Sequence, residues 1–143
     1  MSKRRIITLA ATCCAIAFLV FTVWIIHEAN IGRDNILFKT VRATPYGDKI
    51  GHFFLAGILT LTANFLFRHR CWRLARLSVP YGSILILAIA IIEEASQYFL
   101  PTRSLDIYDA LANFAGILAF SVPAILWPRP AKSELADHRQ DRR

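Results

Sequence analysis

The sequence predicts an all-α protein: a four-helix transmembrane bundle with both chain ends in the cytoplasm (N-in/C-in). Three observations lead there. Hydrophobic residues make up 55% of the 143 residues, more than one soluble core of this size can enclose. Four apolar runs approach or exceed the length that crosses a hydrocarbon layer roughly 30 Å thick, and polar or basic segments separate them. Lys and Arg fall in alternate segments, 12 on one side and 5 on the other, and the richer side is cytoplasmic by the positive-inside rule. The net charge of +7 is therefore explained by topology and headgroup contact, and no nucleic-acid partner is expected.

The first run extends from Ile6 to Ile26 without a charge. Lys3, Arg4 and Arg5 precede it, as in a signal peptide, but it exceeds the usual apolar segment of about 7–15 residues and lacks a small-x-small cleavage site. Ala10, Ala11 and Thr12 before Cys13 make a poor lipoprotein box. A retained anchor is expected. Residues 27–48 are polar and mixed, with Gly32, Pro45 and Gly47 as turn formers and a short interfacial helix around Ile36–Phe38. The second run covers Ile50 to Phe67 and ends in a basic loop carrying Arg68, His69, Arg70, Arg73 and Arg76. The third covers Val79 to Leu100, with Pro80 in its first turn, and Pro101 stops it. A tight turn from Thr102 to Leu105 leads to the fourth run, Asp106 to Trp127, which Pro128 and Pro130 close. Residues 1–130 form one membrane domain, and the charged tail 131–143 is expected to be disordered and cytoplasmic.

Cys13 and Cys14 are adjacent in an apolar run, and Cys71 lies in the basic loop. Neighbouring helical residues point about 100° apart, so they do not easily bridge each other. No CxxC or Cys/His ligand spacing occurs. Neither a disulfide framework nor a zinc site is indicated, and no cofactor is expected.

The informative residues are polar groups inside the spans, which are costly there and turn toward a bundle interior or a water-filled cavity. Asp48, Lys49 and His52 open the second run. Glu93, Glu94 and Gln97 lie in the far half of the third. Arg103, Asp106, Asp109 and Asn113 run from the turn into the fourth. All fall at one depth, in the outer leaflet by the charge rule. Asp48 and His52 are four apart, as are Asp109 and Asn113, so each pair stacks on one helix face. Glu93, Glu94 and Gln97 share an arc of about 100°. Asp109, Asn113 and Gly116 form one stripe, and Gly116 would let a neighbouring helix approach closely. A single network of Asp48, His52, Glu94, Gln97, Arg103, Asp106, Asp109 and Asn113 is expected, with Arg103 reaching back to Glu94 or forward to Asp106.

These residues carry a family resemblance. Asp48-Lys49-Ile50-Gly51-His52-Phe53 resembles the "DKxxHF" start of the second helix in the VanZ-like family. Glu94-Ala95-Ser96-Gln97 is similar to its "ExxQ". Pro101-Thr102-Arg103-Ser104-Leu105-Asp106, followed by Asp109, Asn113 and Gly116, resembles its "R-s-x-D-x-x-D-x-x-x-N-x-x-G" signature. The resemblance spans residues 48–120 and omits Glu93 and the first run. It implies a bacterial cell-envelope setting in the cytoplasmic membrane and, through the protein that gave the family its name, an association with resistance to the glycopeptide teicoplanin. It implies no particular reaction.

Three readings of the cluster follow. As a binding site it would recognise a membrane lipid headgroup, a lipid-linked envelope precursor, a cell-wall fragment or a glycopeptide, or move a solute. As a catalytic site it would use Glu94 and Asp109 as acid and base, with His52 exchanging protons between about pH 5 and 8 and Arg103 holding a phosphate or carboxylate in two-point contact. As a scaffold, the carboxylates would pair with Lys49, His52 and Arg103 and hold the helices in register, although buried ion pairs add little net stability. Asp48, His52, Glu94 and Asp109 include ligand types that suit a hard metal ion, but with one histidine and no second ligating motif no metal is expected. Oligomeric state is not legible.

Overall fold

The computed structural model describes residues 2–33, 35–74, 77–101 and 103–126. Arg76, Thr102, Trp127 and the tail 131–143, all named above, lie outside the described residues. The chain forms α1 (Lys3–Asn30), α2 (Ile36–Ala43), α3 (Gly47–Leu66), β1 (Cys71–Leu74), β2 (Leu77–Pro80), α4 (Tyr81–Ser96), a 3-10 turn (Gln97–Phe99) and α5 (Ile107–Leu126). Four of the helices are long and apolar enough to cross a membrane, and they coincide with the four apolar runs.

The boundaries differ from the sequence reading where local backbone rules decide them. α1 continues past Ile26 to Asn30, and α3 begins at Gly47, so Asp48 and Lys49 belong to its first turn. Val79 and Pro80 are not helical. Val79 precedes a proline, which pushes it out of the helical region, and it pairs instead with Trp72 in an antiparallel hairpin. The basic loop is thus a β-hairpin, and Pro80 is the N-cap of α4 rather than part of its first turn. At its other end α4 stops at Ser96, and the chain tightens into the 3-10 turn before Pro101.

The packing centre is the contact between α3 and α5, with α4 against both. Ala56, Ala63, Ile86 and Ile117 form its small apolar core. Lipid is as apolar as leucine, so helices associate in membranes through close approach and hydrogen bonds. Both are present. A Cβ on Gly116 would run into the Phe53 carbonyl of α3, which fits the role expected for this residue. Toward the hairpin end, Asn64 donates through Nδ2 to Ser83 Oγ at 3.0 Å and accepts from the Ser83 N–H at 3.1 Å. Ser83 Oγ lies 2.7 Å from Ser121 Oγ, so α3, α4 and α5 are tied across their buried faces. The sequence reading had not singled out this second polar layer.

α1 is different. It touches α3 and has no comparable contact with α4 or α5 among the described residues, and most of its apolar side chains are exposed. The short α2 buries none of its residues. It packs against the start of α3, where a Cβ on Gly47 would overlap the Val41 carbonyl. A short helix thus stands where one was expected near Ile36–Phe38.

Replacing Gly116 with valine should force α3 and α5 apart. We expect a loss of about 1–3 kcal/mol, the usual cost of overpacking, read as a lower melting temperature in detergent. A neutral result would remove the close approach as a determinant of the fold.

Candidate functional site

The N-termini of α3 and α5 and the C-terminus of α4 meet at the end of the bundle away from the hairpin. Two helix N-termini there favour negative charge, and each carries an aspartate in its first turn, Asp48 and Asp109. Between them lies Lys49. Its Nζ is 2.7 Å from Asp48 Oδ2, 2.7 Å from Asp106 Oδ2 and 2.8 Å from Asp109 Oδ1. One ammonium group with three donors thus meets three carboxylates from three places in the chain. An oxygen of each carboxylate also stands within 4.8 Å of the others, a grouping of hard oxygen ligands whose negative charge Lys49 offsets in part.

Asp106 ties the elements together. Its backbone N–H donates to Glu94 Oε1 on α4 at 3.1 Å, its Oδ1 accepts from the Tyr108 N–H at 2.9 Å in the manner of an N-cap, and its Oδ2 meets Lys49. The lysine beside it holds the Asp106 carboxyl below the usual carboxylate range. His52 continues the chain of contacts: its Nε2 is 3.7 Å from Asp109 Oδ2 and its Nδ1 3.3 Å from Asn113 Oδ1. Glu94 is only 6% exposed, and its Oε2 has no hydrogen-bond partner among the described residues.

Six of the eight expected residues therefore share one network: Asp48, His52, Glu94, Asp106, Asp109 and Asn113. Gln97 and Arg103 fall into a second. The Gln97 side-chain amide donates from Nε2 to both carboxylate oxygens of Glu93, each at 3.1 Å, and Arg103 Nη2 is 3.8 Å from Glu93 Oε1. Arg103 meets neither Glu94 nor Asp106, contrary to expectation. Its salt-bridge partner is Glu93, a residue left outside the motif. Glu93 and Glu94 are successive residues on α4 and turn to different neighbours, which shared depth alone could not reveal. Lys49, noted at the start of the second run but not counted among the site residues, is the hub. The signal was its position beside Asp48 at a helix start facing two further aspartates.

Below this polar end lies a cavity of about 400 Å³. Phe21, Ile25 and Ala29 of α1, Leu37, Phe38 and Val41 of α2, Leu55 and Leu59 of α3, and Ile86 and Ile89 of α4 supply its apolar walls. Arg42, Asp48, His52, Glu93, Arg103 and Asn113 line its polar end. α1 and α4 both face this space yet scarcely touch each other, so the cavity occupies the gap between them. From His52 to Leu59, or from Glu93 back to Ile86, the walls descend two helical turns, roughly 10 Å at 1.5 Å per residue.

Replacing Lys49 with methionine would leave three carboxylates facing one another. Its side chain is 25% exposed, so solvent moderates the cost, and we expect a loss of about 1–3 kcal/mol near neutral pH. In the native protein, the Asp106 contribution is present above the ordinary carboxylate range and is lost only as pH falls through its lowered value. In the variant the sign reverses: protonation relieves the repulsion, so its deficit should shrink as pH falls toward about 4. Melting curves across pH would check this, and a deficit independent of pH would show that Lys49 acts by packing instead.

A family model described as VanZ/LLP1 matches residues 6–127. The match reaches beyond the motif region 48–120 and takes in α1, which the motifs did not include. No curated protein and no solved structure matches the chain. Because the family match covers most of the sequence, and the chain carries four helices of spanning length and composition, this multi-pass membrane protein belongs to the VanZ/LLP1 family, the VanZ-like family that its motifs resemble.

Proposed function

We propose that this protein binds an amphiphile of the bacterial cell envelope, a membrane lipid or lipid-linked precursor. The ligand's chain lies in the cavity and its head at the polar end. The observation that carries this reading is the cavity itself: an apolar slot roughly two helical turns deep, with charged and polar side chains at one end, bounded by α1, whose main contact among the described residues is with α3. Binding sites are mostly apolar with a few placed polar groups, and the gap between α1 and α4 admits a chain sideways from the bilayer. The 12-to-5 distribution of Lys and Arg supports an orientation in the cytoplasmic membrane with the polar end outward and the hairpin inward. A role in resistance to glycopeptides would follow if the bound molecule is one those drugs recognise or compete for.

A second reading, a membrane-embedded acid/base enzyme acting on an envelope lipid, is favoured by Glu94. A buried carboxyl with one oxygen lacking a partner among the described residues, in a network that includes Asp109 and His52, is the kind of group that exchanges a proton with a substrate.

Ile89 lines the cavity and lies outside the buried core, at 46% exposure, so a tryptophan there should fill the slot without disturbing the core. Native mass spectrometry of the protein extracted with its lipids should show co-purifying amphiphile on the parent chain and a reduction of about tenfold or more in Ile89→Trp. Equal occupancy in both would sink the cavity reading. In the same assay Glu94→Gln should keep the ligand; accumulation of an unconverted lipid on that variant would instead favour the enzyme.

The orientation has its own test. In a variant with Cys13 and Cys14 replaced by serine, a membrane-impermeant thiol reagent added to intact cells should fail to label Cys71 in the hairpin, and should label it after the membrane is opened. Efficient labelling of intact cells would invert the topology.

A further inference from the structure

We propose that the head recognised at this site is zwitterionic: a phosphate ester that carries a primary ammonium group, with the phosphate on Arg103 and the ammonium on Glu93. This rests on the lipid-binding reading above and assigns the chemistry of the head.

The proposal begins with Arg103. Its guanidinium carries five N–H donors, lines the cavity and is 22% exposed. Its nearest charged partner, Glu93 Oε1, stands at 3.8 Å, beyond hydrogen-bond distance, and among the described residues its side chain makes no hydrogen bond. A half-buried guanidinium with its donors unused is suited to two-point binding of a phosphate.

Glu93 is the complement. Gln97, almost fully buried, donates to both of its carboxylate oxygens. This fixes the carboxylate while leaving lone pairs on each oxygen for a further donor. The carboxylate therefore stands beside the guanidinium without being consumed by it. A head with opposite charges a few ångströms apart would lie antiparallel to this pair, each charge meeting its opposite.

The remaining charges on the cavity wall decide between head types. Arg42 and Arg103 are positive, and Asp48 and Glu93 negative. A purely anionic head would set its charge against Glu93, and a purely cationic one against Arg103. Such like-charge contacts discriminate against the wrong ligand as effectively as attraction selects the right one. A zwitterion meets both signs. A primary ammonium also donates three hydrogens to the carboxylate, whereas a trimethylammonium has none to offer.

The test uses the purified full-length protein and lipids with matched acyl chains: phosphatidylethanolamine, phosphatidylglycerol, phosphatidylcholine and diacylglycerol. Binding is read by native mass spectrometry or titration, with melting temperature as a check on folding. Phosphatidylethanolamine should bind about tenfold more tightly than phosphatidylglycerol, with phosphatidylcholine between them and diacylglycerol weakest. Glu93→Gln should abolish that preference by weakening the ethanolamine lipid and strengthening the glycerol lipid. Arg103→Gln should bring both down toward diacylglycerol. An unchanged lipid ratio in Glu93→Gln, or phosphatidylglycerol binding as well as phosphatidylethanolamine to the parent protein, would overturn the assignment. Equal binding of all four lipids would refute the head assignment and leave the cavity reading standing. Failure of every lipid to bind would refute both.

Discussion

The Lys49 ammonium, held by Asp48, Asp106 and Asp109, is the interaction around which the polar end is arranged. A charge near the hydrocarbon boundary needs partners, and these come from the start of α3, the turn before α5 and the first turn of α5. Satisfying Lys49 thus fixes the register of α3 against α5. Asp106 transmits the constraint to α4, because its backbone N–H reaches Glu94 while its side chain serves both Lys49 and the first turn of α5. The charges alone contribute modest stability; their effect is to select one arrangement of three helices among many that apolar contact would permit.

A membrane bundle needs such selection along its length. At the hairpin end, Asn64, Ser83 and Ser121 supply it with uncharged hydrogen bonds. Between the two polar layers, Gly116 lets the backbones of α3 and α5 approach. The three helices are therefore joined by charge at one end and hydrogen bonds at the other. α1 shares neither layer. Among the described residues its main attachment is to α3, which leaves a space beside α4, and α2 bounds that space near the polar end. The cavity is a consequence of this inequality: three helices are locked, and the fourth is placed against them without filling the gap.

The Glu93, Gln97 and Arg103 group has a different character. The Lys49 cluster is drawn together at hydrogen-bond distances, whereas the Arg103–Glu93 pair is long and faces the cavity. The first holds helices at close range, and the second is a looser pair on the cavity wall. Residues of one motif region thus fall into two differently packed groups only a turn apart.

The sequence by itself determined the class of the fold and the gathering of the polar groups at one end of the bundle. Apolar runs of spanning length fix four membrane helices because lipid accepts no unpaired backbone, and Glu94 and Asp109 turn inward because a charge facing lipid is costly. Helical spacing also placed Asn113 and Gly116 on the face that carries Asp109. Only the tertiary structure decided who partners whom. Arg103 could reach several carboxylates from its turn, and the choice of Glu93 depends on how α4 is rotated. The hub role of Lys49 needed two aspartates distant in sequence to converge on one nitrogen. The Asn64–Ser83–Ser121 layer was illegible because single small polar residues in apolar runs give no periodic signal. The cavity was equally hidden: it is a scarcity of contact between α1 and α4 among the described residues, and no residue pattern specifies a gap that only the relative placement of four helices creates.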